Sequence, residues 1–182
     1  QTLAEGCGQL SMFDFEAFPV LQTERLRLRQ IAENDADAIF AIRSDYAVTK
    51  YNSGPAYTDI AQAQDLIQQM TIAYNEQRSI RWGITHPPDN TVIGMVGYNY
   101  WDRNDHRGSV GFDLLRKQWR QGLMSEALHA IIQFGFEQMA LNRIEADASI
   151  YNDGSINLLK KLGFVQEGTQ REQYYEAGRY HD

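Results

Sequence analysis

The residues of this chain best suited to chemistry crowd into two short stretches. The first reads Phe112-Asp113-Leu114-Leu115-Arg116-Lys117-Gln118-Trp119-Arg120-Gln121-Gly122-Leu123-Met124-Ser125-Glu126-Ala127. A strand pattern runs into a short basic loop, and Gly122 opens a long amphipathic helix. A helix start presents N–H groups without intrahelical acceptors at the positive end of its dipole, which makes a site for a phosphate or pyrophosphate. Gly122 removes the side chain where such a group must approach the backbone, and Arg116, Lys117 and Arg120 add local positive charge. The same residues also suit a solvated strand–helix connection, because one glycine at a helix start is a weak signal.

The second stretch is Asp147-Ala148-Ser149-Ile150-Tyr151-Asn152-Asp153-Gly154-Ser155, which leaves a short strand and enters a helix ending Leu159-Lys160-Lys161-Leu162-Gly163-Phe164. Gly163 stops that helix and Phe164 is expected to restart the sheet. Elsewhere the chemistry thins out. His86, His106, His129 and His181 show no ligand spacing, and the single cysteine, Cys7, allows neither an internal disulfide nor a Cys-rich metal site. No metal is expected. One cysteine suits a reducing compartment. No apolar run approaches the roughly 20 residues of a membrane span, and the N-terminus lacks a signal-peptide layout, so the cytoplasm is the expected location. A net charge of −7 disfavours nucleic acid and anionic membranes and leans towards cationic partners, protonated amines included.

The elements that must position these stretches follow from periodicity. At 182 residues the chain suits one domain. Residues 25–31 alternate Leu26 and Leu28 with arginines, a half-buried strand. Asn34 or Asp35 should cap a helix that buries Ala38, Ile39 and Ile42. A second helix from Thr58 and Asp59 should bury Ile60, Ala63, Ile67 and Met70. Residues 79–85 and 92–100 read as strands joined through Pro87, Pro88, Asp89 and Asn90, and residues 108–115 as a third. After Gly122, the residues Met124, Ala127, Leu128, Ile131 and Phe134 share one helical face. A strand over 144–150, a helix over 155–162 and a strand from Phe164 complete the order. The fold class expected is a mixed α/β sheet with helices on both faces.

Taken together, the stretches resemble the GNAT acetyltransferase superfamily, in its RimJ/RimL-type branch. Thr23-Glu24-Arg25-Leu26-Arg27-Leu28-Arg29 is similar to that branch's opening strand. Arg120 to Ala127 is similar to its pyrophosphate loop, and Asn152, Ser155 and Leu162-Gly163-Phe164 to its Asn-x-x-Ser…Leu-Gly-Phe signature. The resemblance spans about residues 21–182 and implies a GNAT-like, mostly antiparallel, splayed sheet. It also implies acetyl-coenzyme A as cosubstrate. Pantetheine would lie in the splay against the backbone of Phe112, Asp113 and Leu114. The pyrophosphate would rest on the amides of Arg120, Gln121, Gly122, Leu123, Met124 and Ser125, and Asn152 would contact the cofactor.

Several residues depart from the family pattern. Trp119 and Met124 occupy variable ends of the loop motif, and Ser109 stands where many relatives carry a glutamate. Leu159 replaces the tyrosine acid of many relatives. Ser155, one turn earlier on that face, matches the branch's serine, and the resemblance implies it as the candidate donor to the departing thiolate, with helix capping as its competing role. Asp147 is the candidate base, acting through water, or simply the partner of a neighbouring cation. Tyr98, Tyr100, Trp101 and His106 could line an amine pocket or belong to core and rim. Cys7 lies outside every motif, so direct attack in a ternary complex is expected rather than an acyl-cysteine.

The function expected is N-acetylation of a primary amine, on a protein N-terminus or a small molecule, by a monomer or homodimer. Transfer of a longer acyl group is one alternative, and a noncatalytic acyl-coenzyme A sensor or interaction module is the other. A P-loop nucleotide hydrolase is disfavoured, since no Gly-Lys-Ser/Thr follows the glycine. Residues 1–20 are expected to be peripheral. Residues 178–182 resemble the turn before the family's last strand, so the 21–182 domain is expected to lack that strand, leaving an edge near 164–173 unpaired.

Overall fold

Alternating leucines and arginines do build a strand: Leu26 and Leu28 are buried, and Arg27–Gln30 forms β2. The computed structural model describes residues 13–52, 54–176 and 179–181. Six strands make one sheet in chain order: β1 (Leu21–Gln22), β2, β3 (Ile80–Thr85), β4 (Val92–Asp102), β5 (Arg107–Leu114) and β6 (Arg143–Glu145). All neighbours run antiparallel except β5 and β6, which are parallel. Helices α1 (Ala36–Arg43), α2 (Tyr46–Thr49) and α3 (Ile60–Asn75) precede β3, while α4 (Leu123–Glu137) and α5 (Asp153–Lys161) flank β6 in sequence. Ile39, Ile42, Ala63 and Ile67 pack with Met95 in one core cluster. Leu128, Ile131 and Phe134 pack with Trp82, Val96 and Tyr98 in another. The result is a mixed sheet with a core on each face.

The apolar face of α4 is the one its sequence periodicity predicts, with Met124, Ala127, Leu128, Ile131 and Phe134 all buried. It lies close against β4. The Tyr98 hydroxyl donates to the Ile131 carbonyl at 2.8 Å and fills the space where any side chain at Gly135 would stand. Burial pushes the Tyr98 hydroxyl's pKa upward. Tyr98 is therefore core, as is Trp101, and neither lines an amine pocket. His106 is exposed with its ring Nδ1 3.0 Å from the Ala140 carbonyl, which leaves Tyr100 as the pocket candidate of the four.

Helix starts show one agreement and one difference. Asp59 caps α3 in a capping box with Gln62. Asp35 stands at the N-cap position of α1, at the end of a 3-10 turn over Glu33–Asp35, but its side chain makes no cap bond. Its buried carboxylate instead receives both terminal nitrogens of Arg29, each at 2.8 Å, and the Ala32 amide at 2.8 Å. Desolvation pushes the Asp35 pKa up, but the Arg29 and Ala32 bonds outweigh it and hold the carboxyl below its usual value. A depressed carboxylate pKa stabilises the fold above the unfolded-state value and loses that contribution as pH falls through the folded one. Asp35→Asn should therefore cost about 3 kcal/mol at neutral pH, because it removes the only counter-charge of a half-buried guanidinium among the described residues and leaves it its bonds to Asn90 and Gln30 alone. The gap between wild type and variant in urea titrations should narrow below about pH 4. A gap that stays constant down to pH 3 would refute this origin.

Past α4 the elements are shorter than expected. β6 covers only three residues rather than 144–150, because its pairing with β5 ends at Glu145. Gly163, at φ +89°, ends α5 as expected: the Phe164 amide reaches the Leu159 carbonyl and the Gly163 amide that of Lys160. No strand opens at Phe164; residues 164–170 run without a ladder. Arg179–His181 is a strand, β8, paired with β7 (Tyr174–Glu176), rather than a turn. Gly178 and Asp182 lie outside the described residues, as do residues 1–12 and Cys7 among them. Phe13, Phe15 and Phe18 pack against the α4-side core, and Trp82 Nε1 donates to the Pro19 carbonyl at 2.7 Å.

Candidate active site

β5 and β6 pair at three positions only, Arg107 with Arg143, Gly108 with Ile144 and Ser109 with Glu145. β5 then continues to Leu114 while residues 146–149 leave the ladder, so the two strands part. Because they are parallel, their C-terminal ends lie at the same edge of the sheet. The connection from β5 leads into the start of α4 and the connection from β6 into the start of α5. Topology thus brings residues 120–125 and residues 152–155 to one edge, on either side of the gap.

The α4 side of that edge is rich in free donors. Among the described residues, the first α4 amide with a protein acceptor is that of Glu126, which reaches the Gly122 carbonyl at 3.1 Å. The amides of residues 120–125 have none. Arg120 and Gly122 both have left-handed backbones, at φ +60° and +77°. For an arginine this conformation is uncommon, and such backbone strain clusters at ligand-binding turns. Consecutive free amides in a turn of this kind form an anion-binding concavity. The loop is held from outside: Glu126 accepts from the Thr23 hydroxyl, the Arg25 amide and Arg25 Nε at 2.5, 2.8 and 2.7 Å, while Arg25 Nη1 donates to the Gln121 carbonyl. Desolvation raises the Glu126 pKa, and these donors more than reverse the shift, so it is a firm anionic anchor. A groove lined by Arg25, Gly122, Ser125, His129 and Lys161 runs beside the loop and adds cations that sequence spacing does not connect to it.

The two unusual loop residues have structural explanations. Trp119 Nε1 donates to the Leu114 carbonyl at 2.7 Å, tying the end of β5 to the loop. Met124 is buried in the core beneath α4. Of the three backbone positions expected along the gap, the Leu114 carbonyl thus already has a protein donor. Phe112 is half-buried and packs towards α4. The Asp113 side chain is buried and engaged elsewhere, accepting from Asn52 Nδ2 at 2.6 Å and Arg43 Nη1 at 3.3 Å, so it is not available to the gap.

On the α5 side, Asn152 is the N-cap, its side chain accepting from the Ser155 amide at 3.1 Å. Capping therefore belongs to Asn152. The half-buried Ser155 hydroxyl has no hydrogen-bond partner among the described residues. Leu159 is buried core. Asp147 is exposed, bordering a groove along the outer edge of β6, and has neither ion pair nor hydrogen bond among the described residues. Among the described residues no cation pairs with it. No group of three His, Cys, Asp or Glu side chains that could hold a metal ion occurs among the described residues. None of the described helices is long and apolar enough to cross a membrane.

A strand-to-helix anion loop beside a parted parallel strand pair is the arrangement expected of an acyl-coenzyme A site, and comparison with known proteins decides the family. The family described as "Acetyltransferase (GNAT) domain" matches residues 25–165. The chain belongs to the GNAT acetyltransferase family. It is 38% identical over 165 residues to YoaA, an uncharacterized N-acetyltransferase of Bacillus subtilis, covering 91% of this chain and 93% of that one. It is 25% identical to the [ribosomal protein uS5]-alanine N-acetyltransferase of Escherichia coli, over 89% and 86% of the two chains. A solved structure of RimL, a ribosomal L7/L12 α-N-protein acetyltransferase, in complex with coenzyme A shares the fold. Its TM-score is 0.81 at 18% identity, over 90% of this chain and 93% of that one. The chain is a GNAT acetyltransferase with a RimL-like fold.

In this GNAT chain the sheet register also brings Glu145, which its sequence did not single out, beside the start of the gap. Ser109, in the place of the family's frequent glutamate, is flanked in register by Tyr100 on β4 and Glu145 on β6. The Tyr100 hydroxyl donates to Glu145, which also accepts from Arg143 Nε at 3.1 Å. The Tyr100 bond, aided by Arg143, keeps the Glu145 pKa below the usual carboxylate range. Desolvation and the anionic Glu145 push Tyr100 up to about 12. The pair is a fixed hydrogen-bonded unit, visible only once β5 and β6 are known to be in register.

Proposed function

We propose that the chain moves an acetyl group from acetyl-coenzyme A to a primary amine within a ternary complex. The observation that carries this is the shared edge: free amides at residues 120–125 on one side of the β5–β6 gap, and an uncommitted Ser155 hydroxyl on the other. Residues 120–125 would bind the pyrophosphate, the backbone of Phe112 and Asp113 would guide pantetheine, and Asn152 would fix the mouth of α5. The amine nitrogen attacks the thioester carbonyl carbon, the C–S bond breaks, and the thiolate leaves with a hydrogen bond from Ser155. The amine's proton passes through water to Asp147, whose carboxylate is free to take it. Glu145 is the poorer base, since its bonds to Tyr100 and Arg143 favour the anion. A noncatalytic sensor would lean on Trp119 and Met124 as departures from the family's loop pattern, and both of these serve the fold. We place the enzyme in the cytoplasm, as a monomer or homodimer.

An acceptor screen with acetyl-coenzyme A tests this, reading released thiol across peptides, amino acids and polyamines. Amine-dependent release is expected with at least one class, and none with any would defeat the reading. The uS5 and L7/L12 enzymes named above make protein N-termini the natural first arm. Asp147→Asn should lower kcat about 10-fold, the modest end for a base that is exposed and replaceable by bulk water. Coenzyme A affinity should be unchanged. Full turnover in that variant would remove Asp147 from the mechanism.

A further inference from the structure

On the sheet face turned towards α1 and α3, a compact polar cluster sits behind the proposed cofactor gap. Gly111 and Asp113 point to this face of β5, alternating with Phe112 and Leu114, which pack towards α4. Asp113 is buried and accepts from Arg43 Nη1 and Asn52 Nδ2. The Arg43 guanidinium stacks over the Tyr57 ring at 5.2 Å, and the Tyr57 amide donates back to the Arg43 carbonyl. A second arginine, Arg81 of β3, lies flat across β4 and β5. Its Cγ stands 2.8 Å from the position of a β-carbon on Gly97, and its Nη2 3.0 Å from that on Gly111. Two glycines therefore make room for it. The Asn99 side chain covers the same glycine and is exposed, so the cluster opens to solvent there.

The charges do not balance. Two guanidiniums share one carboxylate, and the Arg81 side chain makes no ion pair or hydrogen bond among the described residues. The Nε atoms of both arginines are sealed from solvent and have no hydrogen-bond partner among the described residues. Burial pulls the Arg81 pKa down, and the neighbouring Arg43 adds to this against Asp113 and Tyr57. A guanidinium nevertheless keeps its proton in a protein. A buried cation without a counter-charge is costly, and in a chain of net charge −7 it is out of character. A planar fork of this kind matches a carboxylate or phosphate with two parallel bonds.

We infer that this cluster recognises the acceptor, and that it selects small amines carrying an anionic group of their own, a carboxylate or a phosphate, on the terminal nitrogens of Arg81 and Arg43. The inference rests on the amine-acceptor reading above for what the ligand is, and on the cluster alone for its charge. β5 then separates the two substrates: its gap edge carries the cosubstrate, and its other face holds the acceptor's anion with the amine directed towards the gap.

The test uses matched pairs with the intact chain: L-amino acids against their amides, and O-phosphoethanolamine against ethanolamine. Two quantities are read, kcat/KM by thiol release and thermal stabilisation of the coenzyme A-saturated protein, which needs no turnover. The anionic member of at least one pair should be favoured 10-fold or more in kcat/KM and should alone raise the melting temperature. A phosphate preference over carboxylate would identify a phosphomonoester as the source. Arg81→Gln should abolish the preference, and Arg81→Lys should restore part of it, with coenzyme A affinity as the control for folding. Equal response to charged and neutral members, or a preference that survives Arg81→Gln, overturns the inference. Turnover of neutral amines as good as of acids would defeat it and leave the transfer reading standing. Acids that bind through Arg81 without any amine being acetylated would do the reverse.

Discussion

Gly122→Val is expected to weaken coenzyme A binding about 100-fold or more in a chain that still folds. Gly122 has φ +77°, a region that β-branched residues scarcely enter. The β-carbon itself would find room, since its nearest neighbour, Arg25 Nη2, is 3.4 Å away. The damage comes from the backbone instead. Valine would relax the turn towards negative φ and swing the amides of residues 120–125 out of their common focus. Each charge-assisted bond from an amide to phosphate is worth about 1.5–3 kcal/mol. Losing two of the weaker kind is about 3 kcal/mol, or roughly two decades in Kd. Gly122→Ala shares the φ penalty without the branch and should fall between the two. The remainder of the loop should survive, because Glu126 still clamps Thr23 and Arg25. Calorimetric titration with coenzyme A gives the answer directly. Wild-type affinity in a folded Gly122→Val chain would remove the pyrophosphate from this turn.

What the sequence discloses here is what short periodicities encode. Met124, Ala127, Leu128, Ile131 and Phe134 announce α4 and its buried face, and Leu26 with Leu28 announces β2, because burial repeats at helical or strand spacing within a few residues. The anion loop is legible for the same reason: basic residues, glycine and helix start are contiguous. Asp35 misleads because its sequence position suits a cap, while Arg29, six residues back, offers a stronger pair of bonds. Tyr98 misleads because an aromatic near a strand end gives no sign that its hydroxyl will reach Ile131 across Gly135, 33 residues on. The Tyr100–Glu145 pair and the Arg43–Asp113–Arg81 cluster join residues 45, 70 and about 30 positions apart. Strand register and the placing of the segment after α1 create both. Local spacing carries neither fact, so the proposed cofactor side of the site is readable in the sequence and the proposed acceptor side is not.

Ser155→Ala should lower kcat between about 10- and 1,000-fold while leaving both coenzyme A affinity and the melting temperature close to wild type. A departing thiolate with a pKa near 8.5 on the cysteine scale needs only a modest donor. A serine hydroxyl is a poor acid, yet a bond to sulfur as charge develops there acts in the transition state and not in the ground state. Ser155 is suited to this by what it does not do. Asn152, not Ser155, caps α5 and holds the Ser155 backbone amide at 3.1 Å, leaving the side-chain hydroxyl without a partner among the described residues. The stability cost of capping should accordingly appear in the neighbour: Asn152→Ala should lose about 1 kcal/mol. Turnover and melting temperature measured on both variants separate the two roles. Normal kcat in Ser155→Ala would leave the thiolate to solvent and Ser155 without a part in transfer. A reduced kcat accompanied by an equal loss of stability would instead make Ser155 a structural residue of α5, and only the loss of rate at constant stability assigns it to the departing sulfur.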